Sequence, residues 1–166
     1  MIKRILFLSG VVLCSVMLMV SCKDKAPKSE VNETQIFQAT LNNQDTLQML
    51  SLCDNCMELL KNKDIEGALS MLYEYDDSTK QVFPLSEATR MRYERLFNMF
   101  PVLSYQRQKF KFMLEGVNDV KYDVVFAEES HPDVNGIPKT AFMFNPVKVD
   151  SVWYVTVKRP DQEISF

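Results

Sequence analysis

Apolar residues recur at helical spacing as far as Pro101 and alternate beyond it, and this single change of period restricts the chain to helices first and a sheet afterwards. From Thr46, the residues Met49, Cys53, Cys56 and Leu60 fall on one helical stripe, which Leu52 and Leu59 widen. Asn62 to Asp64 break that run, and Asp64 is placed to cap a second helix carrying Ile65, Ala68, Leu69 and Leu72. The acidic cluster Glu74, Asp76 and Asp77 closes this helix pair, and a short edge strand is expected over Lys80 to Phe83. Ser86 reads as the N-cap of a third helix with the stripe Tyr93, Leu96, Phe97 and Phe100, stopped by Pro101.

Past Pro101 the spacing becomes that of half-buried strands. Phe110, Phe112 and Leu114 are expected to face one way, with Arg107, Lys109 and Lys111 facing the other. Gly116 to Asp119 reads as a turn, after which Val120, Tyr122, Val124 and Phe126 alternate with Lys121 and Asp123. A polar loop from Glu128 to Pro138 leads to a strand with Thr140, Phe142 and Phe144. The last strand runs from about Ser151 to Lys158, with Trp153, Val155 and Val157 on one face. The expected fold is therefore α+β, with N-terminal helices packed on a curved antiparallel sheet of about four strands.

The N-terminus sets the compartment. Lys3 and Arg4 precede an apolar run from Ile5 to Val20, shorter than the roughly 20 residues of a spanning helix, so residues 1–21 read as a cleaved signal peptide. Leu18-Met19-Val20-Ser21-Cys22 resembles a bacterial lipobox, with Met19 where that pattern prefers Leu. The resemblance implies lipidation at Cys22 and firm anchoring by two or more acyl chains. Lys23 rather than Asp after the cysteine favours the outer membrane. Lys23-Asp24-Lys25 partly resembles the charged export tag of surface lipoproteins of the Bacteroidetes, with Lys25 where that tag prefers an acid. Residues 22–44 are polar, contain Pro27 and read as a flexible tether. Residues 45–166 are expected to form one domain.

Removal of Lys3 and Arg4 with the signal takes the formal charge from −3 to −5, which argues against a nucleic-acid partner. The expected partners are the membrane, through the N-terminal lipid, and an envelope protein or small ligand. Ten methionines and eleven phenylalanines read mostly as core filling.

The order of helix pair, short strand, helix and hairpin-linked strands ends in Asp150-Ser151-Val152-Trp153-Tyr154-Val155-Thr156-Val157. Over residues 44–158 this resembles the NTF2-like, or cystatin-like, cone-shaped α+β fold, and the combination with lipobox and spacer resembles Bacteroidetes lipoproteins of that type. Some NTF2-like proteins are isomerases or dehydratases with an Asp/His pair inside the cone, so an enzyme with a pocket in the cone is the alternative that the resemblance implies. Here the single histidine, His131, falls in the polar loop, the inward positions are nearly all apolar, and no catalytic residue is assigned.

Cys53-Asp54-Asn55-Cys56 is the one local motif that suggests chemistry, as buried thiols, a local disulfide or a redox pair. A redox pair of the thioredoxin sort opens a helix after a strand, whereas this one lies inside a predicted helix. A zinc site would need two further ligands that no second CxxC or histidine cluster supplies, so no metal is expected. With four glycines and no Walker-type or dinucleotide loop, no cofactor is expected either. Arg90, Arg92 and Arg95, with Arg107, Lys109 and Lys111, suggest an anion site or, more simply, a solvated charged face. The function that these features support is a lipid-anchored, non-catalytic binding or accessory module of the cell envelope. The alternatives are an NTF2-like enzyme and a thiol-redox protein using Cys53 and Cys56.

Overall fold

The computed structural model describes residues 32–128 and 136–158. In chain order the elements are α1 (Glu33–Thr40), α2 (Asn43–Lys61), α3 (Ile65–Ser70), β1 (Leu72–Asp76), β2 (Gln81–Pro84), α4 (Glu87–Met99), β3 (Ser104–Leu114), β4 (Val117–Val125), β5 (Lys139–Val149) and β6 (Val152–Val157). The fold is a mixed α+β arrangement in which the strands form one sheet of order β2-β1-β6-β5-β4-β3. The expected α+β class holds at that level. The sheet, however, has six strands rather than about four, and it is mixed, because β1 runs parallel to β6 with Leu72 beside Val155 and Tyr73 beside Thr156. Leu72, read as the last residue of a helical stripe, instead starts a strand that pairs with β2 from Tyr73 opposite Pro84 to Asp76 opposite Gln81.

A helix occupies part of the segment read as flexible tether. Residues 33–40 form α1, capped by the Asn32 side chain, which accepts from the Thr34 N–H at 3.0 Å. No α1 residue is buried, and the helix is held from outside. Gln38 donates to the Phe112 carbonyl at 2.7 Å, and Phe37 meets the Phe112 ring edge-on at 6.5 Å. Such a short polar helix is marginal on its own, so tertiary contact decides its state.

α2 buries the stripe expected of it, but it starts at Asn43, inside the segment read as tether and before the expected start at Thr46. Asn42 and Asp45 form a capping box, each side chain accepting from the other's backbone N–H at 2.9 and 3.0 Å. The stripe Met49, Cys53, Cys56, Met57 and Leu60 is buried. Each large apolar side chain buried there stabilises the fold by about 1.5–3 kcal/mol. Ser86 caps α4 as expected, and Tyr93 and Phe97 are buried, Phe97 lying 5.5 Å from the Phe142 ring. The Asp45 carboxylate, only 4% exposed, joins α2 to the sheet by accepting from Lys148 Nζ on β5 and from Trp153 Nε1 on β6 at 3.2 Å.

Two irregularities shape this half of the sheet. The β3–β4 register slips between Arg107 and Lys109, so Arg107 stands opposite buried Tyr122 and Phe110 opposite buried Val120. Arg107 therefore shares the helix-facing side with Tyr105, Phe110 and Phe112, which corrects the simple alternation expected from sequence. The second irregularity is Pro146 in the interior strand β5, where the ladder to β4 stops at the Phe144–Val120 pair. Proline has no N–H to offer, and two asparagines fill the gap. Asn118 donates its backbone N–H to Asn145 Oδ1 at 2.7 Å and its amide to the Pro146 carbonyl at 2.8 Å, while Asn145 donates its amide to the Gly116 carbonyl at 3.0 Å. Asn118 was expected in a turn. The turn is confined to Glu115 and Gly116, and Asn118 is fully buried.

Replacing Asn145 with Ala is expected to lower stability by about 1–3 kcal/mol, read from urea denaturation, because the Asn118 N–H and the Gly116 carbonyl lose their buried partner. A second expectation concerns pH. The Lys148 hydrogen bond, followed by that of the Asn42 N–H, holds the Asp45 carboxyl below the usual carboxylate range. The stability it contributes is present above the unfolded value of about 3.9 and is lost as pH falls through the lower folded value. Urea midpoints measured from about pH 6 to about pH 2 should therefore fall less steeply below about pH 4 in Asp45→Asn than in the wild type.

Candidate functional site

The CxxC motif lies on the inward side of α2. Cys53 and Cys56 are free thiols with no exposed surface, and Cys56 Sγ lies 3.9 Å from the Ala68 carbonyl. Burial pushes the Cys56 thiol up to about 12. It also raises Cys53, with the neighbouring Cys56 and Asp54 adding to the effect. A reactive thiol needs the opposite environment, partly exposed and electropositive.

Between the two thiols, Asp54 leaves the buried stripe and meets the sheet. Its Oδ1 accepts from the Tyr122 hydroxyl on β4 at 2.6 Å, and its Oδ2 accepts from Arg107 on β3 at 2.7 Å. One turn later Glu58 accepts from the Tyr105 hydroxyl at 3.2 Å. The Tyr122 hydroxyl is pushed well above its usual range by burial and by donating to Asp54. Tyr105 is raised by burial and by its bond to Glu58. Both Asp54 oxygens are occupied, so this cluster works as a latch between α2 and the β3–β4 hairpin. The bulge after Arg107 makes it possible, and no local sequence pattern announces it.

The cationic residues singled out from sequence do not converge. Arg90 pairs with Glu66 on α3, whereas Arg92 lies over the Tyr93 ring, 5.0 Å from its centroid, and donates to the Lys158 carbonyl at 3.3 Å. Arg107 is taken by Asp54, Lys109 stands opposite Lys121, and Lys111 stands opposite Asp119. Among the described residues no group of three or more His, Cys, Asp or Glu could hold a metal ion. Cys22 and His131 lie outside the described residues.

Open space is found at the margins of the fold. A cleft of about 730 Å³ is bounded by α1, the β1–β2 turn, the β3–β4 turn and the β5–β6 turn. A second, of about 540 Å³, lies between the β1–β2 hairpin and α4 near Glu74 and Arg92. A third, of about 440 Å³, lies between α4 and the first half of β5. The first is walled on one side by Gly116, where a Cβ would run into the Tyr75 ring, so only glycine lets β1 approach the β3–β4 turn this closely.

No family model matches the chain, and no curated protein matches it. Among solved structures, a Campylobacter jejuni protein described as a candidate NTF2-like transpeptidase is similar over 70% of this chain and 100% of its own, with 16% identity and a TM-score of 0.36. A similarity of that size assigns neither activity nor substrate.

The buried setting of the thiols gives a direct expectation. Native protein treated with iodoacetamide near pH 8 should leave Cys53 and Cys56 unmodified, and both should alkylate in urea without a reductant, as read by peptide mass mapping. Alkylation of the native pair would identify a redox site, and a need for reductant in urea would identify a disulfide.

Proposed function

We propose that this chain is a lipid-anchored protein of the cell envelope whose NTF2-like domain is a non-catalytic binding or accessory module. The observation that carries the reading is the contrast between a saturated interior and an open margin. Asp45 is taken by Lys148 and Trp153, Tyr122 by Asp54, and Lys158 by Asp119 and the Asn118 carbonyl. A general acid or base must hold its proton or lone pair within reach of substrate, and these groups are paired with protein partners inside the fold. The inward positions between them are filled by Met, Phe, Tyr, Trp and Val.

The cleft beside α1 has the features of a binding surface. It is in the usual size range of ligand sites, about 300–1,000 Å³, and combines apolar side chains with charged groups. The lipobox-like sequence ending at Cys22 supplies the anchor, and a diacylglycerol with a further acyl chain holds stably where one chain is marginal. The anchor places the domain at a membrane of the envelope, the outer membrane by the absence of Asp after Cys22, where a bound partner would be kept close to the bilayer.

The full chain expressed in its cell should sediment with the membrane fraction and survive a high-salt wash, whereas Cys22→Ala should move to the soluble fraction. Retention of Cys22→Ala in the membrane fraction would sink the lipid-anchor reading.

A further inference from the structure

We infer that the cleft beside α1 is a docking groove for a polypeptide segment that presents apolar side chains flanked by lysine or arginine. The inference rests on the binding-module reading and names the chemistry of its partner. The floor is apolar, made by Ile36, Phe37 and Leu41 at the α1 end and by Leu114 and Val117 on either side of the β3–β4 turn. Ile36 and Leu114 are 52% and 36% exposed, so apolar surface is left open where the fold could have withdrawn it.

The rim is acidic. Glu33, Asp77, Glu115 and Asp150 line the cleft against Lys80 and Lys148. Lys80 is bound to Asp77, and Lys148 is spent on buried Asp45, outside the lining. Glu33, Glu115 and Asp150 form no direct ion pair among the described residues, although Glu115 acts on the Lys80 ammonium from a distance, and the three belong to three different elements around the cleft.

That distribution selects among occupants. Separated carboxylates cannot converge on a divalent ion, and no such cluster is present among the described residues. They repel phosphate-bearing ligands, and an uncharged lipid would leave them unanswered. An extended peptide satisfies both parts, its apolar side chains entering the floor and its cationic side chains reaching the rim on either side. Rim charges on such a groove act chiefly on partner choice and association rate, while the apolar contact supplies most of the holding energy.

The test uses the full chain in nonionic detergent and a fluorescein-labelled peptide, Lys-Leu-Phe-Lys-Leu-Lys, with its Glu-for-Lys counterpart as control. Fluorescence anisotropy should show saturable binding of the basic peptide, weakened several-fold between about 50 mM and about 300 mM salt, and none of the acidic one. The double variant Glu115→Lys with Asp150→Lys should bind roughly tenfold more weakly at low salt, and Ile36→Ser should weaken binding at both salt levels. Circular dichroism and the thermal midpoint establish that each variant is folded. Saturable binding that persists undiminished in both variants overturns the inference, as does equal binding of the acidic peptide or none of the basic one up to millimolar concentration. A dimer of the full chain that the peptide does not dissociate would place a second copy in the groove and also overturn it. These variants leave Cys22 intact, so their membrane fractionation is unchanged and failure of the groove is distinguishable from failure of the anchor.

Discussion

Pro146 sits in a strand with a neighbour on each side, and the way its missing N–H is absorbed organises the centre of the sheet. Asn118 uses all four of its hydrogen-bonding groups for this purpose. Its N–H and amide go to Asn145 and to the Pro146 carbonyl, its Oδ1 accepts from the Met113 N–H, and its carbonyl accepts from Lys158. Met113 lies at the second slip of the β3–β4 register, so one buried side chain repairs two broken ladders. A buried amide left half satisfied would cost more than an apolar residue of the same shape, which makes the network stabilising only as a whole. Among the described residues, no buried side-chain nitrogen or oxygen lacks a partner.

The same economy fixes α2. Its first turn is tied to β5 and β6 through Asp45, its middle to β3 and β4 through Asp54 and Glu58, and the buried stripe along this length carries Met49 and the two thiols. Two carboxylates nine residues apart on one helix thus set its position over four strands. Removing a partner of buried Asp45 leaves an uncompensated charge, whereas the half-exposed Asp54–Arg107 pair is screened by solvent and fixes geometry more than it stabilises. Cys53 and Cys56 fall within this clamped stretch, and their spacing follows from the helical stripe they help to fill. CxxC is also the spacing of a redox pair, which is why sequence alone left that reading open.

The parts of the fold legible in the sequence are those set by local periodicity. The α2 stripe, the Ser86 cap, the stop at Pro101 and the alternation Val120, Tyr122, Val124 all translate directly into structure. What was not legible depends on distant partners. α1 has no buried stripe and exists against Phe112, and β1 is a short acidic segment whose strand state is set by pairing with β2 and β6. The bulge after Arg107 reverses which side that residue takes, and with it the reading of the cationic face. The Asn118–Asn145 contact spans 27 residues, although one clue was local: Asn118 stands two residues before Val120, in register with the inward series. Of the candidate site, the motif was visible and the cleft was not, because four segments far apart in sequence assemble it.

The turns around that cleft carry a conformational cost. Asp150 and Ser151 have φ of 49° and 68°, and Lys80 has φ of 56°, all in the left-handed region. A two-residue hairpin turn with both central residues at positive φ is best served by Asn-Gly, and a non-glycine residue there is strained by roughly 1–2 kcal/mol. Glycine would relieve the strain at either turn, but it would remove the Asp150 carboxylate and the Lys80 ammonium from the rim. Strained conformations persist where the surroundings over-determine them, and three of the four non-glycine residues with positive φ among the described residues line this cleft, the fourth, Lys63, closing the α2–α3 turn. The interior, by contrast, holds its polar groups in complete networks. Among the described residues, carboxylates without an ion-pair partner and three left-handed residues lie together at this margin.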